Sequence, residues 1–396
     1  MHTSTLALAI LAGTATAANV KLFITSYAGE GSTLGKVTTL ELKPGLVSLR
    51  VPSADLMSTR VNEQCGSAPT WLDLTDKKFV FCVDEGFQTP NASINTLEKN
   101  ADGSLKSVGK VDTIQGPVST QFYNKNAAVA LAHYGGSAIS TFTQKNGVFT
   151  PLQNFTFVAK GPNPAQEAAH VHHSVIDPTG NYIIFPDLGA DKVYVYCIDP
   201  KTSLLKEHPA LATFPAGSGP RHAAFWKSGG DTYLFVVTEL TNKIYSFKVS
   251  YTKDVGLTFV QADEQPLFPA PAPQFARAAE VKISPDNRFV VASNRNATLL
   301  SAPNPDPKNS TAVASDTLVT FAPQKDGKLK FVQLAPSGGS FPRHFSFSKD
   351  GSMIASANQR SGSVFVWSRD VKSGKIGDKI AAIAGIGEVT NVVWDE

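Results

Sequence analysis

Apolar residues in this chain fall in short runs rich in Val, Ile, Phe and Tyr, closed by Asp, Gly, Pro or Asn. The stretch from His170 to Asp199 shows the pattern. His170–Ile176 leads through Asp177-Pro178-Thr179-Gly180 into Tyr182–Phe185, and Lys192–Ile198 follows after Asp187-Leu188-Gly189. Such runs split by turn residues predict strand, tight turn, strand, loop, strand. In the turn, Pro fixes φ and Gly accepts a positive φ. Long runs with helical periodicity are hard to find.

The same unit recurs, starting near Ala68, Gly116, His170, Gly219, Arg277 and Phe341, about every 50 to 60 residues. Each copy continues into a third strand and a weaker fourth, and four-stranded units at this period predict a propeller. Pieces remain at both ends. Lys21–Thr25, Lys36–Leu40 and Leu46–Val51 read as strands near the N-terminus, and Val389–Trp394 is a spare strand near the C-terminus. Joined, they make one more blade and close the ring, leaving no sheet edge between its first and last members. The predicted fold is therefore all-β: a seven-bladed β-propeller with four antiparallel strands per blade, its last blade closed by N- and C-terminal strands. It occupies residues 18–396 as a single domain. Ser301–Ser315, with three Pro, is predicted to be a surface loop.

Composition narrows the function. Charged residues are 17% of the 396, net charge is +3, and no Lys/Arg stripe appears, which argues against a nucleic-acid partner. Residues 1–17 read as a signal peptide, with an apolar core at Leu6–Ala12 and a small-residue cleavage site at Ala15-Thr16-Ala17. No later apolar stretch could span a membrane, so the expectation is a secreted protein without a membrane partner. Cys65 and Cys82 flank one strand-turn unit and could pair in an oxidising compartment, while Cys197 is expected to be a buried thiol. Asn-X-Ser/Thr sequences at Asn91, Asn154, Asn296 and Asn309 are candidate glycosylation sites.

The chemistry gathers at one end of the blades. In an antiparallel hairpin the start of strand one and the end of strand two are neighbours, so in every blade they lie on the same face, beside the channel. The first location holds His170, His172, Arg221, His222, Glu280, Arg343 and His344. The second holds His133, Asp187, Glu239, Asn294, Arg295, Asn358, Gln359 and Arg360. The turns on the other face carry generic turn residues. A concave mouth lined by titratable groups is a default site. His170 and His172 could pair on a metal, but no third ligand has matching spacing, and a structural or substrate-contacting role is the expectation. Arg221 and Arg343 suit either inter-blade carbonyls or an anion. Glu239, at the end of an apolar strand, needs an arginine partner to stay ionised. No P-loop, nucleophile elbow, zinc-protease motif or dinucleotide fingerprint is present.

Several segments together resemble the seven-bladed propeller lactonase family, which includes 6-phosphogluconolactonases and carboxy-cis,cis-muconate cyclases. They are His170-Val-His172 before Asp177-Pro178, Asp187–Val193, Gly219-Pro220-Arg221-His222, Thr238-Glu239-Leu240, Glu280–Asp286, Ser293-Asn294-Arg295, and Pro342-Arg343 with Ala357-Asn358-Gln359. The resemblance covers nearly all of residues 18–396. It implies His172, Arg221, Glu239 and Arg295 as catalytic residues; His170, His133, Arg343, Glu280 and Asn358 are candidate substrate contacts by their place at the mouth. Lactone opening or closure needs a base and a stabilised oxyanion, and two arginines suit a small anionic lactone or carboxylic acid. His172 or Glu239 would be the base or acid, and Arg221 and Arg295 would bind the anion. Neither lactone hydrolysis nor cycloisomerisation requires a cofactor or metal. The competing expectation is a secreted propeller that binds an anionic ligand or protein partner without catalysis.

Overall fold

A computed structural model describes residues 20–29, 32–44, 54–269 and 273–396. Seven four-stranded antiparallel sheets surround a central channel. Six are built from strands in chain order, beginning at Pro69, Pro117, Val175, Pro220, Arg277 and Pro342; we call these blades one to six, and only the fifth is interrupted, by a two-stranded hairpin between its second and third strands. The seventh takes its inner strand, Val389–Asp395, from the C-terminal region and pairs it with Val20–Ser26, then Lys36–Pro44 and Ala54–Asn62. Leu22 faces Trp394 and Phe23 faces Val393 across that closing junction. The strand expected at Leu46–Val51 lies outside the described residues, as does the leader at 1–17; the outer strand of this blade is Ala54–Asn62.

Each pair of neighbouring blades shares one apolar core, because the middle strands are covered on both faces. In blade four, Leu234 and Val236 pack toward blade three with Ile184 and Val195. The alternate residues Phe235 and Val237 pack toward blade five with Val290 and Ala292. A strand covered on both faces reads as an unbroken apolar run, as Tyr233–Val237 does. The core between blades seven and one, with Phe23, Leu72 and Val80, includes Cys65 and Cys82, which are joined as a disulfide.

Three details differ from the sequence expectation. The first strand of blade three is only Val175–Ile176, with one isolated bridge between Val171 and Asp187 upstream. There the Asp187 carboxylate takes the His170 backbone N–H at 2.7 Å, replacing a ladder carbonyl. The Ser301–Ser315 segment is not merely a loop: Leu300–Ala302 pairs with Val313–Ser315, anchored because Ala302 and Val313 reach the core between blades five and six. Cys197 is free but only half-buried. Among the described residues the only helix is the 3-10 turn Pro164–Gln166, and none is long and apolar enough to cross a membrane.

Candidate active site

A repeated irregularity aims side chains into the channel. The first residue of the inner strand is proline in blades one, two, four and six, at Pro69, Pro117, Pro220 and Pro342. Proline at a strand start or bulge leaves no ladder bond missing. In each of these blades the register then slips by one residue, so that Thr70, Val118, Arg221 and Arg343 have no partner opposite. A bulge of this kind turns a side chain that would otherwise face a neighbouring sheet. These four, with His172 and Thr390, line the throat of the channel. The next residue along, Trp71, His222 or His344, also points inward and forms a second tier below.

The return strands supply the rest. Their last ladder residues, Asp84, His133, Thr238 and Asn358, are fully buried between sheets. The residue that follows faces the cavity instead: Glu85, Tyr134, Glu239 and Gln359, joined by Arg295 and by Tyr27 from the closing blade. The result is a cavity of about 440 Å³ lined by His172, Arg221, Glu239, Arg295, Arg343, Tyr27, Glu85, Tyr134, Phe341 and their neighbours. Four arginines against three glutamates leave its lining one positive charge in excess.

Arg221 and Arg295 converge on one oxygen of Glu239, with Arg221 Nε at 3.0 Å and Arg295 Nη2 at 2.5 Å from Oε2. Backbone carbonyls fix both guanidiniums: Arg221 donates to Ala279 O at 2.8 Å and Arg295 to Ala278 O at 3.0 Å. Burial alone would push the Glu239 carboxyl up, but Arg295, Arg221 and Arg343 hold it below the usual carboxylate range. It is therefore an anion. Burial pushes the Arg343 guanidinium down, and Tyr27, Glu85 and Glu239 more than reverse this. Arg343 Nη2 lies 3.4 Å from Glu85, which also accepts a hydrogen bond from the Tyr27 hydroxyl. Burial, with Arg221, His222, Arg343 and Arg295 nearby, drives His172 well below the ordinary imidazole value, so the ring is neutral. Tyr134 meets it edge-on, with centroids 5.6 Å apart, and burial raises that phenol to about 12, keeping its proton as a donor.

Phe341 closes one wall. Its ring lies 4.9 Å from the Arg295 guanidinium and 4.2 Å from that of Arg360. Its φ is +67°, in the same pre-proline place where blades two and four have Gly116 (φ +65°) and Gly219 (φ +66°). A bulky residue in this region is strained and persists where its surroundings hold it. The buried Asp316 does so, taking the Phe341 N–H at 2.6 Å together with the N–H groups of Asn296, Ala297 and Thr298.

Of the nine residues singled out from sequence, His172, Arg221, Glu239, Arg295 and Arg343 line this cavity. The other four do not. His133 is fully buried, bonded to Ser140 Oγ and Gln115 O. Asn358 is fully buried and donates to Ser337 O. His170 stacks on the far side of Tyr134 at 4.1 Å, with its Nδ1 on Tyr134 O. Glu280 is fully buried in the second tier, against His222 and His344. The cause is pleat: His133, Asn358 and Glu280 each stand one residue from the position that looks into the cavity or throat. Tyr27, Glu85, Tyr134, Phe341 and Glu388 were missed. Asp84-Glu85 and His133-Tyr134 do carry a signal, being sequence equivalents of Thr238-Glu239.

The opposite mouth is less bland than its turns suggest. It holds a larger cavity, about 710 Å³, with Trp71, His173 and His344 at its base and Asp73 and Lys282 on its wall. Trp71 packs against His173, His222 and His344 at 5.3 to 5.9 Å and separates the two cavities. The 440 Å³ cavity is the better candidate, because only there do arginines and a carboxylate converge beside an imidazole. Among the described residues, no group of three or more His, Cys, Asp or Glu could hold a metal ion. Asn91, Asn154 and Asn309 are exposed, whereas Asn296 accepts a hydrogen bond from Arg360 at the cavity rim.

Comparison with known proteins agrees with this architecture. A probable 6-phosphogluconolactonase of Arthroderma benhamiae is 27% identical over 340 residues, 84% of this chain and 82% of the relative. The 6-phosphogluconolactonase of Bacillus subtilis is 27% identical over 263 residues, covering 66% and 68%. The structure of a periplasmic gluconolactonase of Pseudomonas aeruginosa superposes with a TM-score of 0.78 at 26% identity, covering 95% of this chain and 99% of that one. Residues 23–394 match the family model described as lactonase, 7-bladed beta-propeller, and the chain belongs to that family.

Proposed function

We propose that this protein hydrolyses the lactone of a small sugar acid carrying one anionic group, carboxylate or phosphate. The observation that carries this is the convergence of Arg221 and Arg295 on Glu239 beside a neutral His172, in a cavity with one excess positive charge. Water attacks the lactone carbonyl, and His172 accepts its proton. The developing oxyanion lies against Arg221 or Arg295, already fixed by backbone carbonyls, so little reorganisation is needed. The ring C–O bond then breaks, and the proton on His172 passes to the departing ring oxygen. The sum is lactone plus water giving hydroxy acid, whose new carboxyl group ionises and releases one proton to solvent. Glu239 aims the two guanidiniums, and its anion keeps them charged.

The 6-phosphogluconolactonase names of the fungal and Bacillus relatives, and the gluconolactonase name of the Pseudomonas structure, support a sugar-acid lactone. Action after export is the matching expectation for location. It draws on the leader-like residues 1–17 and on the Cys65–Cys82 disulfide, which suits an oxidising compartment. The test is proton release by the purified protein across phosphorylated, carboxylated and neutral sugar lactones. Turnover of an anionic lactone, lost in His172→Ala and Arg221→Ala with the fold intact, is expected. No turnover on any member of the panel, by a protein that unfolds cooperatively, would overturn the proposal.

A further inference from the structure

Beneath His172 runs a column of hydrogen-bonded groups that crosses the channel. His172 Nδ1 is 3.1 Å from His222 Nε2, and His222 Nδ1 is 3.0 Å from Glu280 Oε1. The other Glu280 oxygen lies 3.3 Å from His344 Nε2 and 3.9 Å from Lys282 Nζ. The rings have little choice of tautomer. Ala223 N–H donates to His173 Nδ1 and Val392 N–H donates to His344 Nδ1, so the protons of those two rings are on Nε2. Glu280 is an anion: burial raises it, but Lys282, His344, His173 and Arg221 hold it below the ordinary value. An anionic Glu280 takes a hydrogen from His222 Nδ1. That leaves a lone pair on His222 Nε2, which takes the hydrogen from His172 Nδ1. The Nε2 lone pair of His172 is then turned to the cavity.

We propose that His222 and Glu280 are positioning residues that hold His172 as its Nδ1–H tautomer and stabilise it when it takes a proton. The proposal rests on the reading of His172 as base. On the cavity side Arg221, Arg295 and Arg343 all oppose an imidazolium at His172, and the carboxylates Glu239 and Glu85 there are paired with those arginines. Tyr134 stands edge-on to it as a neutral phenol. His222 is faced by His173, stacked at 4.2 Å, by Trp71, and by Arg221, Lys282 and His344, all unfavourable or neutral. Among the described residues, Glu280 is the anion bonded to the column. A carboxylate that orients an imidazole and offsets its charge is the logic of a catalytic triad; here a second imidazole is inserted between the two.

The test uses the intact protein. In Glu280→Gln the acid limb of the kcat/KM–pH profile should move to lower pH and kcat should fall on the order of 100-fold with little change in KM. Lys282→Met, on the far mouth and partly exposed, should move the same limb to higher pH, because it removes a positive charge that offsets the Glu280 carboxylate. Opposite shifts from two variants cannot come from loosened structure, and Lys282→Met keeps the test open if Glu280→Gln does not fold. Nitrogen-15 spectra of the histidines, with His172 assigned by His172→Gln, give a readout independent of turnover. Wild type should show His172 protonated on Nδ1. An Nε2–H tautomer in wild type, or acid limbs unmoved in both variants, would overturn the proposal. A protein without lactone turnover but with the Glu280-dependent Nδ1–H tautomer would sink the hydrolase reading and leave the column standing.

Discussion

Arg221 Nε stands 3.0 Å from Glu239 Oε2, an ion pair between the bulge of one strand and the residue just past the end of its neighbour. The Glu239 N–H donates to Gly219 O at 2.7 Å, which ties the two backbones at that point. Glu239→Gln removes the charge that Arg221 and Arg295 share. Two buried guanidiniums then face each other uncompensated, at a cost of about 3 to 5 kcal/mol in stability. An anionic lactone or its hydroxy-acid product should restore much of this, since it binds only the folded state. Urea denaturation with and without the product acid checks both parts, and an unchanged midpoint for Glu239→Gln would contradict the role given to this pair.

Acid should destabilise the fold well before the carboxylates titrate. Burial lowers His133 and His173 to about 4 and His344 to about 3, while each titrates near its ordinary value when unfolded. Between those values the unfolded chain binds protons that the folded one refuses, so stability is lost as pH falls below about 6.5. Each such histidine contributes about 1.4 kcal/mol per pH unit in that window. His133 is remote from the cavity, bonded only to Ser140 and Gln115 among the described residues. His133→Gln should therefore reduce the slope of unfolding free energy between pH 6 and pH 4.5 by about 1.4 kcal/mol per unit. A slope equal to that of wild type would count against a neutral buried His133.

Phe341 should govern affinity more than stability. Phe341→Gly relieves a positive φ and removes one ring from between two guanidiniums. Without the ring Arg295 and Arg360 lose the wall that holds them in place, and KM should rise about tenfold, which is about 1.4 kcal/mol of lost binding. Melting temperature should stay near wild type, because the strain relieved offsets the packing lost. Asp316→Ala should raise KM similarly and also lower the melting temperature, since it frees four backbone N–H groups. Steady-state kinetics and thermal melts of both variants separate these outcomes.

The Cys65–Cys82 bridge spans 17 residues at the seam of blades seven and one. Reduction should cost about 3 kcal/mol. Thiol titration of the unreduced, unfolded protein should find one thiol per chain, that of Cys197. Two more would show the bridge to be unformed.

Strand positions could be read from this chain because blade interiors are covered on both faces, and runs such as Phe79–Val83 and Val290–Ala292 follow directly. The closing blade was readable from the count of unpaired strands. Facing was harder. Beside the same turn, His133 and Tyr134 differ only in pleat, and so do Ala279 and Glu280, with a bulge adding a further slip. Arg221 and Arg343 could be found because Pro-Arg marks the bulge itself. Tyr27 and Glu85 reach the cavity only through ring closure, which joins segments more than 300 residues apart. The short first strand of blade three was not legible, because its apolar run resembles those of the longer inner strands.

The inner strand at Val389–Asp395 is synthesised after every strand of blades one to six. Until it arrives, Thr390 cannot donate to Pro69 O, and the wall beside Trp71 is missing. Thr25 and Phe23 wait for partners made after the other six blades. Without Val389–Asp395 the closing sheet lacks its inner strand, and the disc keeps an open slot beside Pro69. The channel that holds the candidate site is thus complete only once this strand is in place.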